Sequence, residues 1–536
     1  MSLEDGLQGE ATRAGSHSEV SGEHPATEDL TGRKRLVSNV LFGWGTYGVF
    51  IVAGFIVPRL IDRRLGQELL GVWDFAWSLV GYFELVQAGI GSSVNRYVAR
   101  YRVARDTVAM NGVVSSATAM LAVSGSLVVG LTIGVSLLLP QLFGGRLEEN
   151  VRDAQWVVFF LGASIAVRVA LGAFNGVLTG CHCWTLHNFN TSAWHAAMVA
   201  GLVIALMTGA GLRTLALIAC MGEVLASLTR LILAHRVCNG LWLQLSLVRR
   251  ATIRQVFFFG GKTLIPSVSQ MLLHQTTGIL IAGYLGPAAL ALYSRPQSLV
   301  RHLNVLLNKM AVVLTPTASS LQSLGDMGAI RELLVKSVCY ALYMALPAVL
   351  VLVVFGNAVM QLWMGSRYAN SPVPAILAIG FFASMAQTPV RSILAGLNAH
   401  GRVGVVELLA SIMSVAFAFV ALSCLQWGLT GVALAVALPL GIMNVLYMPS
   451  AICRRVGLGV KEYLLSVALG PVVHVLPFAV CLVGARLLFS ARPLAGLTWG
   501  GVVGSLVLAV SYYRYVLPEK VKVRVSRLVN RGRSVA

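Results

Sequence analysis

Long apolar stretches alternate with short polar connections along most of the chain. A helix needs about 20 apolar residues to cross the roughly 30 Å hydrocarbon core of a bilayer. The pattern predicts an all-α polytopic membrane protein with about 14 transmembrane helices, because a helix satisfies its backbone hydrogen bonds internally. The predicted spans cover residues 37–60, 70–93, 112–138, 156–180, 188–210, 212–236, 255–284, 287–312, 334–355, 373–397, 404–426, 428–452, 463–486 and 494–514.

The composition excludes a soluble protein of this size. Of 536 residues, 57% are hydrophobic and 12% are charged, and the mean hydropathy is +0.76. The net charge of +20 comes largely from Lys and Arg on alternate connections, which places those connections and both termini in the cytoplasm. Nucleic acid is therefore not an expected partner. The basic connections carry Arg96, Arg100, Arg102, Arg105, Arg236, Arg249, Arg250, Arg254, Arg331, Lys336, Arg402, Arg454, Arg455 and Lys461.

The same pattern divides the chain into segments. Residues 1–36 are polar and acidic, which is typical of a disordered tail, and they end in basic residues before the first span. The predicted organisation is a cytoplasmic tail (1–36), an N-terminal six-helix lobe (37–236), a cytoplasmic connector (237–254), a C-terminal six-helix lobe (255–452), an additional helix pair (453–515) and a basic cytoplasmic tail (516–536).

An internal duplication relates the two predicted lobes. Leu65-Gly66 aligns with Leu285-Gly286 at an offset of 220, VRVALGAFN (167–175) aligns with VRSILAGLN (390–398) at 223, and Gly211-Leu212 aligns with Gly428-Leu429 at 217. The offset covers six predicted spans, an even number, so the lobes form a parallel repeat about an axis along the membrane normal. Two such lobes enclose a central cleft, which predicts transport by alternating access.

Charged residues inside the predicted spans are candidate functional residues, because a charge in the membrane is costly unless it faces water, a partner or a substrate. The alignment makes Arg168 and Arg391 equivalent, and we expect them to face each other across the cleft and bind an anion. Lys262, Arg295 and Arg301 extend this cationic site. The alternative is that each repeated arginine bonds a helix-end carbonyl or a nearby Asn, or extends to the headgroups.

Asp74 and Glu84 are acids within one predicted span, and either is a candidate for coupling transport to a proton or sodium gradient. A structural salt bridge is the alternative for both.

The sequence predicts no cofactor, no metal site and no enzyme. Residues 259–263, FGGKT, resemble the end of a phosphate-binding loop, but the first glycine of that motif is missing. Residues 181–183, CHC, have no second Cys/His pair to complete a zinc site. The largest outer connection, about 139–155, is too short for the extracytoplasmic active site of a membrane glycosyltransferase or polymerase.

Several features together resemble a known family. They are the LG-x4-GVW and LG-x4-ALY motifs (65–73 and 285–293), the basic loop NRYVARYRVAR (95–105), the repeated VRxxL…N pattern and the arrangement of six, six and two spans. The chain is identified on these features as similar to the polysaccharide transporter (oligosaccharide flippase) family of the multidrug/oligosaccharidyl-lipid/polysaccharide exporter superfamily.

The resemblance implies movement of an undecaprenyl-pyrophosphate-linked oligosaccharide across a bacterial inner membrane for surface polysaccharide, including lipopolysaccharide, biosynthesis. It implies a cationic cavity that receives the pyrophosphate and sugar, with membrane lipids and a downstream polymerase or ligase as further partners. Arginine suits such a substrate because its planar fork of donors matches phosphate oxygens. The alternatives are a peptidoglycan-precursor flippase, a cation-coupled multidrug exporter of the same superfamily and, from another class, a glycosyltransferase or polymerase.

Overall fold

A computed structural model describes residues 33–87, 89–261, 264–517, 519 and 522. The regular structure in these residues is all helical, which confirms the predicted fold class. The predicted tails 1–36 and 516–536 lie mostly outside the described residues, and so does Lys262.

The helices fall into two halves and a final pair. The first half, residues 33–237, contains α1 (Arg33–Leu65), α2 (Gln67–Val80), α3 (Ile90–Val103), α4 (Thr107–Leu147), α5 (Val151–Ala170), α6 (Ala173–Gly180), α7 (Trp184–Met207) and α8 (Leu212–Val237). The second half, residues 250–456, contains α9 (Arg250–Gly261), α10 (Leu264–Met271), α11 (Thr277–Leu285), α12 (Pro287–Ala311), α13 (Leu314–Ser323), α14 (Met327–Met364), α15 (Val373–Ala386), α16 (Thr388–Gly396), α17 (His400–Ser423), α18 (Gly428–Ile442) and α19 (Met448–Val456). The final pair is α20 (Val460–Leu488) and α21 (Pro493–Tyr515).

Shorter helical segments join some of these helices. Four are 3-10 turns, at Gly81–Gln87, Glu148–Asn150, Leu245–Leu247 and Ser366–Tyr368, and two are π-helical, at Leu272–Thr276 and Met443–Tyr447. A π-helical turn inside a longer helix is frequently found at functional sites.

Twelve helical stretches of the described chain are long and apolar enough to cross a membrane. The protein is therefore a multi-pass membrane protein. Two predicted spans, 255–284 and 287–312, are not among the twelve. The described residues of the first contain the end of α9 and a helix formed by α10, a π segment and α11, and the second, α12, carries several charges. The total of 14 spans and the division into two lobes remain predictions.

The backbone repeats its unusual conformations between the two halves. Positive φ angles occur at Gly66 and Gly286, which both precede a helix and lie 220 residues apart. Further pairs of positive φ lie 216 to 220 residues apart: Arg105 and Gly325, His182 and Asn398, Gly209 and Gln426, and Gly240 and Gly457. This correspondence supports the duplication that the sequence predicts.

The same correspondence corrects the alignment of the repeated arginines. The helix before the break ends at Ala170 in α5 and at Ala386 in α15, which are 216 residues apart. The helix after the break ends at Gly180 in α6 and at Gly396 in α16, again 216 apart. The offset of 223 from the VRxxL motif is therefore wrong by seven residues. Seven residues make about two helical turns, so the shifted alignment keeps each side chain on the same face.

With the corrected offset, Arg168 and Arg391 are not equivalent. Arg168 lies in α5, before the break, and Arg391 lies in α16, after it. The position equivalent to Arg168 is Ser384, and the position equivalent to Arg391 is Asn175.

The two halves approach most closely where α2 meets α12. A Cβ atom on Gly71 would lie 1.8 Å from the carbonyl oxygen of Pro287, so only glycine fits there. Gly278 of α11 also packs tightly against α2, since a Cβ on it would lie 2.4 Å from Oγ of Ser78. Small residues let membrane helices pack this closely. The contact fixes α2 and α12 as two walls of the space between the halves.

Candidate functional site: the cavity between the halves

A cavity of about 670 Å³ lies between the two halves. The first half contributes α1, α2, the 3-10 turn at Gly81–Gln87 and α7, and the second half contributes the first π segment and α12. The volume lies in the range typical of small-molecule sites. Its charged and titratable lining residues are Tyr47, Asp74, Glu84, His195, His274, Arg295, Arg301 and His302.

Asp74 and Arg295 form a buried ion pair across the two halves. Both carboxylate oxygens of Asp74 accept hydrogen bonds from Nη2 of Arg295, with the Oδ1 contact at 2.5 Å. The side chains are only 14% and 6% exposed. Pro296 follows Arg295 and cannot donate a backbone hydrogen bond within α12. Arg295 is thus charge-compensated and joins α12 to α2.

Arg301 lies six residues beyond Arg295, about 9 Å farther along α12. Its side chain is exposed, lines the cavity and makes no hydrogen bond or ion pair with the described part of the chain. Nearby, the hydroxyl of Tyr47 lies 3.2 Å from Nδ1 of His302, and the ammonium of Lys309 lies 5.4 Å from the centre of the Tyr47 ring. Arg301 thus gives the cavity a positive charge that no carboxylate of the described residues pairs with. Lys309 was not among the residues predicted from the sequence, although it contacts a residue that lines the cavity.

Glu84 brings a second ion pair to the cavity wall. Its Oε1 accepts a hydrogen bond from Nη2 of Arg168, which reaches over from α5. The two side chains are 39% and 27% exposed. Nε of Arg168 is buried and has no hydrogen-bond partner among the described residues.

Arg391 lies inside the second half and is not among the residues that line the cavity. Its Nε donates to Oε1 of Glu407 at 2.6 Å, and its Nη1 donates to the carbonyl of Ser384 at 2.8 Å. Its Nη2 donates to Oδ1 of Asn444 at 2.6 Å and to Oγ of Ser384 at 3.2 Å. Asn444 belongs to the second π segment.

The expectation that Arg168 and Arg391 face each other across the cleft is therefore wrong. Arg168 bonds Glu84 and Arg391 bonds Glu407, each a carboxylate of the same half. These carboxylates provide the negative charge that a shared anionic ligand was expected to provide. Sequence reasoning missed Glu407, although a single acid in the otherwise apolar α17 was a usable signal.

Comparison with known proteins assigns the family. The family model described as "Polysaccharide biosynthesis protein" matches residues 37–322, more than half of the chain. The chain belongs to this polysaccharide biosynthesis family. It is also 23% identical over 366 residues to a Shigella flexneri protein named "Putative O-antigen transporter", covering 66% of this chain and 83% of that one.

Solved transporter structures share the fold of this family member. An inward-facing multidrug resistance MATE transporter of the MOP superfamily is 15% identical, with a TM-score of 0.69 over 80% of this chain and 98% of that one. The lipid II flippase MurJ in an inward closed conformation is 12% identical, with a TM-score of 0.64 over 89% and 99%. These relatives are transporters and flippases rather than enzymes, as the sequence predicts.

Three hydrogen bonds join α1 to the second half at the end of the cavity that the sequence predicts to be outer. Nη1 of Arg59 donates to the carbonyl of Leu362 at 2.7 Å. The indole of Trp363 donates to the carbonyl of Phe55 at 2.8 Å, and the hydroxyl of Tyr368 donates to Asp62 at 2.7 Å. The halves are thus tied together at this end.

Of the predicted site residues, the cavity therefore collects Asp74, Glu84, Arg295 and Arg301, whereas Arg168 reaches it through Glu84 and Arg391 does not line it. Their roles in binding or ion coupling stay predictions. Among the described residues, no group of three or more His, Cys, Asp or Glu side chains is placed to hold a metal ion.

Proposed function

We propose that this protein is a flippase that moves an undecaprenyl-pyrophosphate-linked oligosaccharide across the bacterial inner membrane by alternating access, for surface polysaccharide biosynthesis. Both termini are cytoplasmic in this proposal. The observation that carries it is Arg301, a cation that lines the cavity and has no counter-ion among the described residues. An unpaired cation that lines a cavity inside a membrane protein favours an anionic ligand.

Arg301 and Arg295 bind the pyrophosphate in this proposal. Arg301 is available at once, whereas Arg295 becomes available when phosphate oxygens replace the Asp74 carboxylate. A guanidinium keeps its charge throughout and forms paired hydrogen bonds with phosphate. The prenyl tail is as apolar as lipid, so only the head needs the cavity. Lys262, outside the described residues, remains a predicted further contact.

The contacts of the two acids that line the cavity make a multidrug exporter less well supported than a flippase. Cationic drugs would need a free carboxylate, but Asp74 and Glu84 each bond an arginine. The relative named for O-antigen transport favours oligosaccharide over the peptidoglycan precursor, although the lipid II flippase shares the fold.

Asp74 and Glu84 remain candidates for ion coupling, and their contacts set the sign of that coupling. Protonating either acid would release its arginine and strengthen binding of an anion, so through these contacts the proton and the anion bind together. An exported anion would then carry a proton outward, against an inward gradient. This reasoning favours removal of the product by a downstream polymerase or ligase as the driving force.

The test is Arg301→Gln, with Lys336→Gln as the control because Lys336 is an exposed cation of α14 bonded to Glu332. We expect Arg301→Gln to weaken pyrophosphate binding to the purified protein about tenfold, since it removes a charge-assisted contact. Surface polysaccharide should fall in a strain that depends on the protein, and Arg301→Lys should restore part of it. Unchanged binding and unchanged polysaccharide in Arg301→Gln would contradict the proposal. Accumulated lipid II with normal polysaccharide would favour the peptidoglycan alternative.

A further inference from the structure

One face of α2 brings aromatic side chains into the cavity beside the Asp74–Arg295 pair. Trp73, Trp77 and Ser78 line the cavity together with Asp74. The indole of Trp77 is 37% exposed, although the residue lies in the interior space between the halves. Trp73 is nearly buried and meets the Trp77 ring edge-on, with the ring centres 6.4 Å apart. Trp73 thus packs against the Trp77 ring.

Amide side chains face the cavity from the second half. Gln275 belongs to the first π segment, and Gln297 belongs to α12. The Gln297 amide nitrogen lies 3.3 Å from Nδ1 of His274. Gln275 packs against Gly81, where a Cβ atom would lie 2.5 Å from its Nε2. Because an amide is both donor and acceptor, these groups can bond hydroxyls from two directions.

We infer that Trp77, Gln275 and Gln297 form a sugar-binding subsite for the first sugar attached to the pyrophosphate. This inference rests on the proposed function. A pyranose ring has an apolar C–H face, which suits the flat indole, and a rim of hydroxyls, which suits the amides. Both glutamines are half-buried, and a purely apolar ligand would cover their amides without offering them a hydrogen-bond partner.

The spacing along α2 agrees with this assignment. Trp77 follows Asp74 by three residues, about 4.5 Å along the helix axis. A sugar joined directly to a phosphate held at Arg295 would therefore lie beside the indole. The cationic part of the cavity would recognise the head common to all such lipids, and Trp77 with the two glutamines would discriminate the sugar.

The experiment measures binding of two matched ligands to the purified full chain. They are farnesyl pyrophosphate and farnesyl pyrophosphate carrying one N-acetylglucosamine. We expect Trp77→Ala to lower the preference for the glycosylated ligand about fivefold to tenfold, as loss of an aromatic contact would. Trp77→Phe should retain part of that preference, and Gln275→Leu should lower it by removing the amide.

Trp156→Ala is the control, because Trp156 is 47% exposed on α5 and does not line the cavity. The ratio of the two affinities should be unchanged in this variant. If Trp77→Ala lowered the affinity for both ligands equally, or for neither, the sugar subsite would be overturned while the flippase proposal stayed intact. Failure of the unaltered protein to bind either pyrophosphate would overturn both.

Discussion

The helix breaks between α5 and α6 and between α15 and α16 occupy corresponding places in the two halves, yet their arginines lie on opposite sides of the break. Arg168 precedes its break and reaches Glu84 at the cavity wall. Arg391 follows its break and binds back to Ser384, the position equivalent to Arg168. Both halves contain the helix break, but the arginine lies before the break in the first half and after it in the second. Correspondence in a repeat is therefore better judged from the backbone than from a short motif.

The two arginines also differ in how well their donors are satisfied. Arg391 makes four hydrogen bonds to three residues. Arg168 makes one ion pair, and its buried Nε has no partner among the described residues. The interior of the first half holds further buried atoms without described partners, on Arg230 and Glu223. Buried polar groups are usually bonded, so we interpret Arg391 as a structural tie and Arg168 as part of the cavity's charge balance.

The largest expected effect is that of Arg391→Ala on stability. The change leaves Glu407, 17% exposed, without its counter-charge, and Ser384 and Asn444 without their donor. Breaking a fully buried ion pair costs about 3–5 kcal/mol. Arg391 itself is 26% exposed, so we expect a loss at the lower end of that range, about 3 kcal/mol in the free energy of unfolding in detergent micelles, to which its other hydrogen bonds also contribute. Adding Glu407→Gln should recover part of the loss. A loss below about 1 kcal/mol would show that the cluster does not tie α16 to α17.

Lysine substitutions at positions 391 and 168 should lower the free energy of unfolding by different amounts, both smaller than the loss expected for Arg391→Ala. A lysine at position 391 keeps the charge but cannot hold three partners in one plane, so Arg391→Lys should cost about 1–3 kcal/mol of stability. Arg168→Lys replaces a single partly exposed contact and should cost about 0.5 kcal/mol or less. The same unfolding measurement compares them. Equal losses would remove the distinction between the two breaks.

The sequence predicts the architecture far better than the contacts within it. The pair Gly66 and Gly286 and the twelve long apolar helices of the described chain follow from local pattern, because helix length and turn chemistry are local properties. The register of the repeat could not be predicted from the sequence, because shifting the alignment by two helical turns leaves the same face of each helix apolar. The partner of Arg295 did not follow either, because Asp74 is 221 residues away and only packing of α2 against α12 brings them together.

The predicted seventh span shows a similar difference between pattern and structure. Residues 255–284 are apolar enough to predict one helix, but the chain forms α10, a π segment and α11 there. A π turn depends on which side chains must face a neighbour, so hydropathy alone does not indicate it. It is this segment that contributes His274 and Gln275 to the cavity.

The smallest expected effects are those of the Arg168–Glu84 pair on anion binding, and they have opposite signs. Glu84→Gln leaves Arg168 uncompensated beside the cavity and should raise the affinity for pyrophosphate. Arg168→Ala leaves Glu84 uncompensated and should lower it. A partly exposed pair is worth about 0.5–1 kcal/mol, so each change should be about twofold to fivefold.

The exposed pair of Asp153 and Arg213 provides the matched control, because Asp153→Asn and Arg213→Ala alter the net charge in the same way on residues that do not line the cavity. Isothermal calorimetry with pyrophosphate at constant ionic strength compares the four variants. If the control pair shifts affinity as much as the Arg168–Glu84 pair does, the effect reports net charge alone. Arg168 would then share with Arg391 a purely structural role, and the two breaks would differ in geometry but not in function.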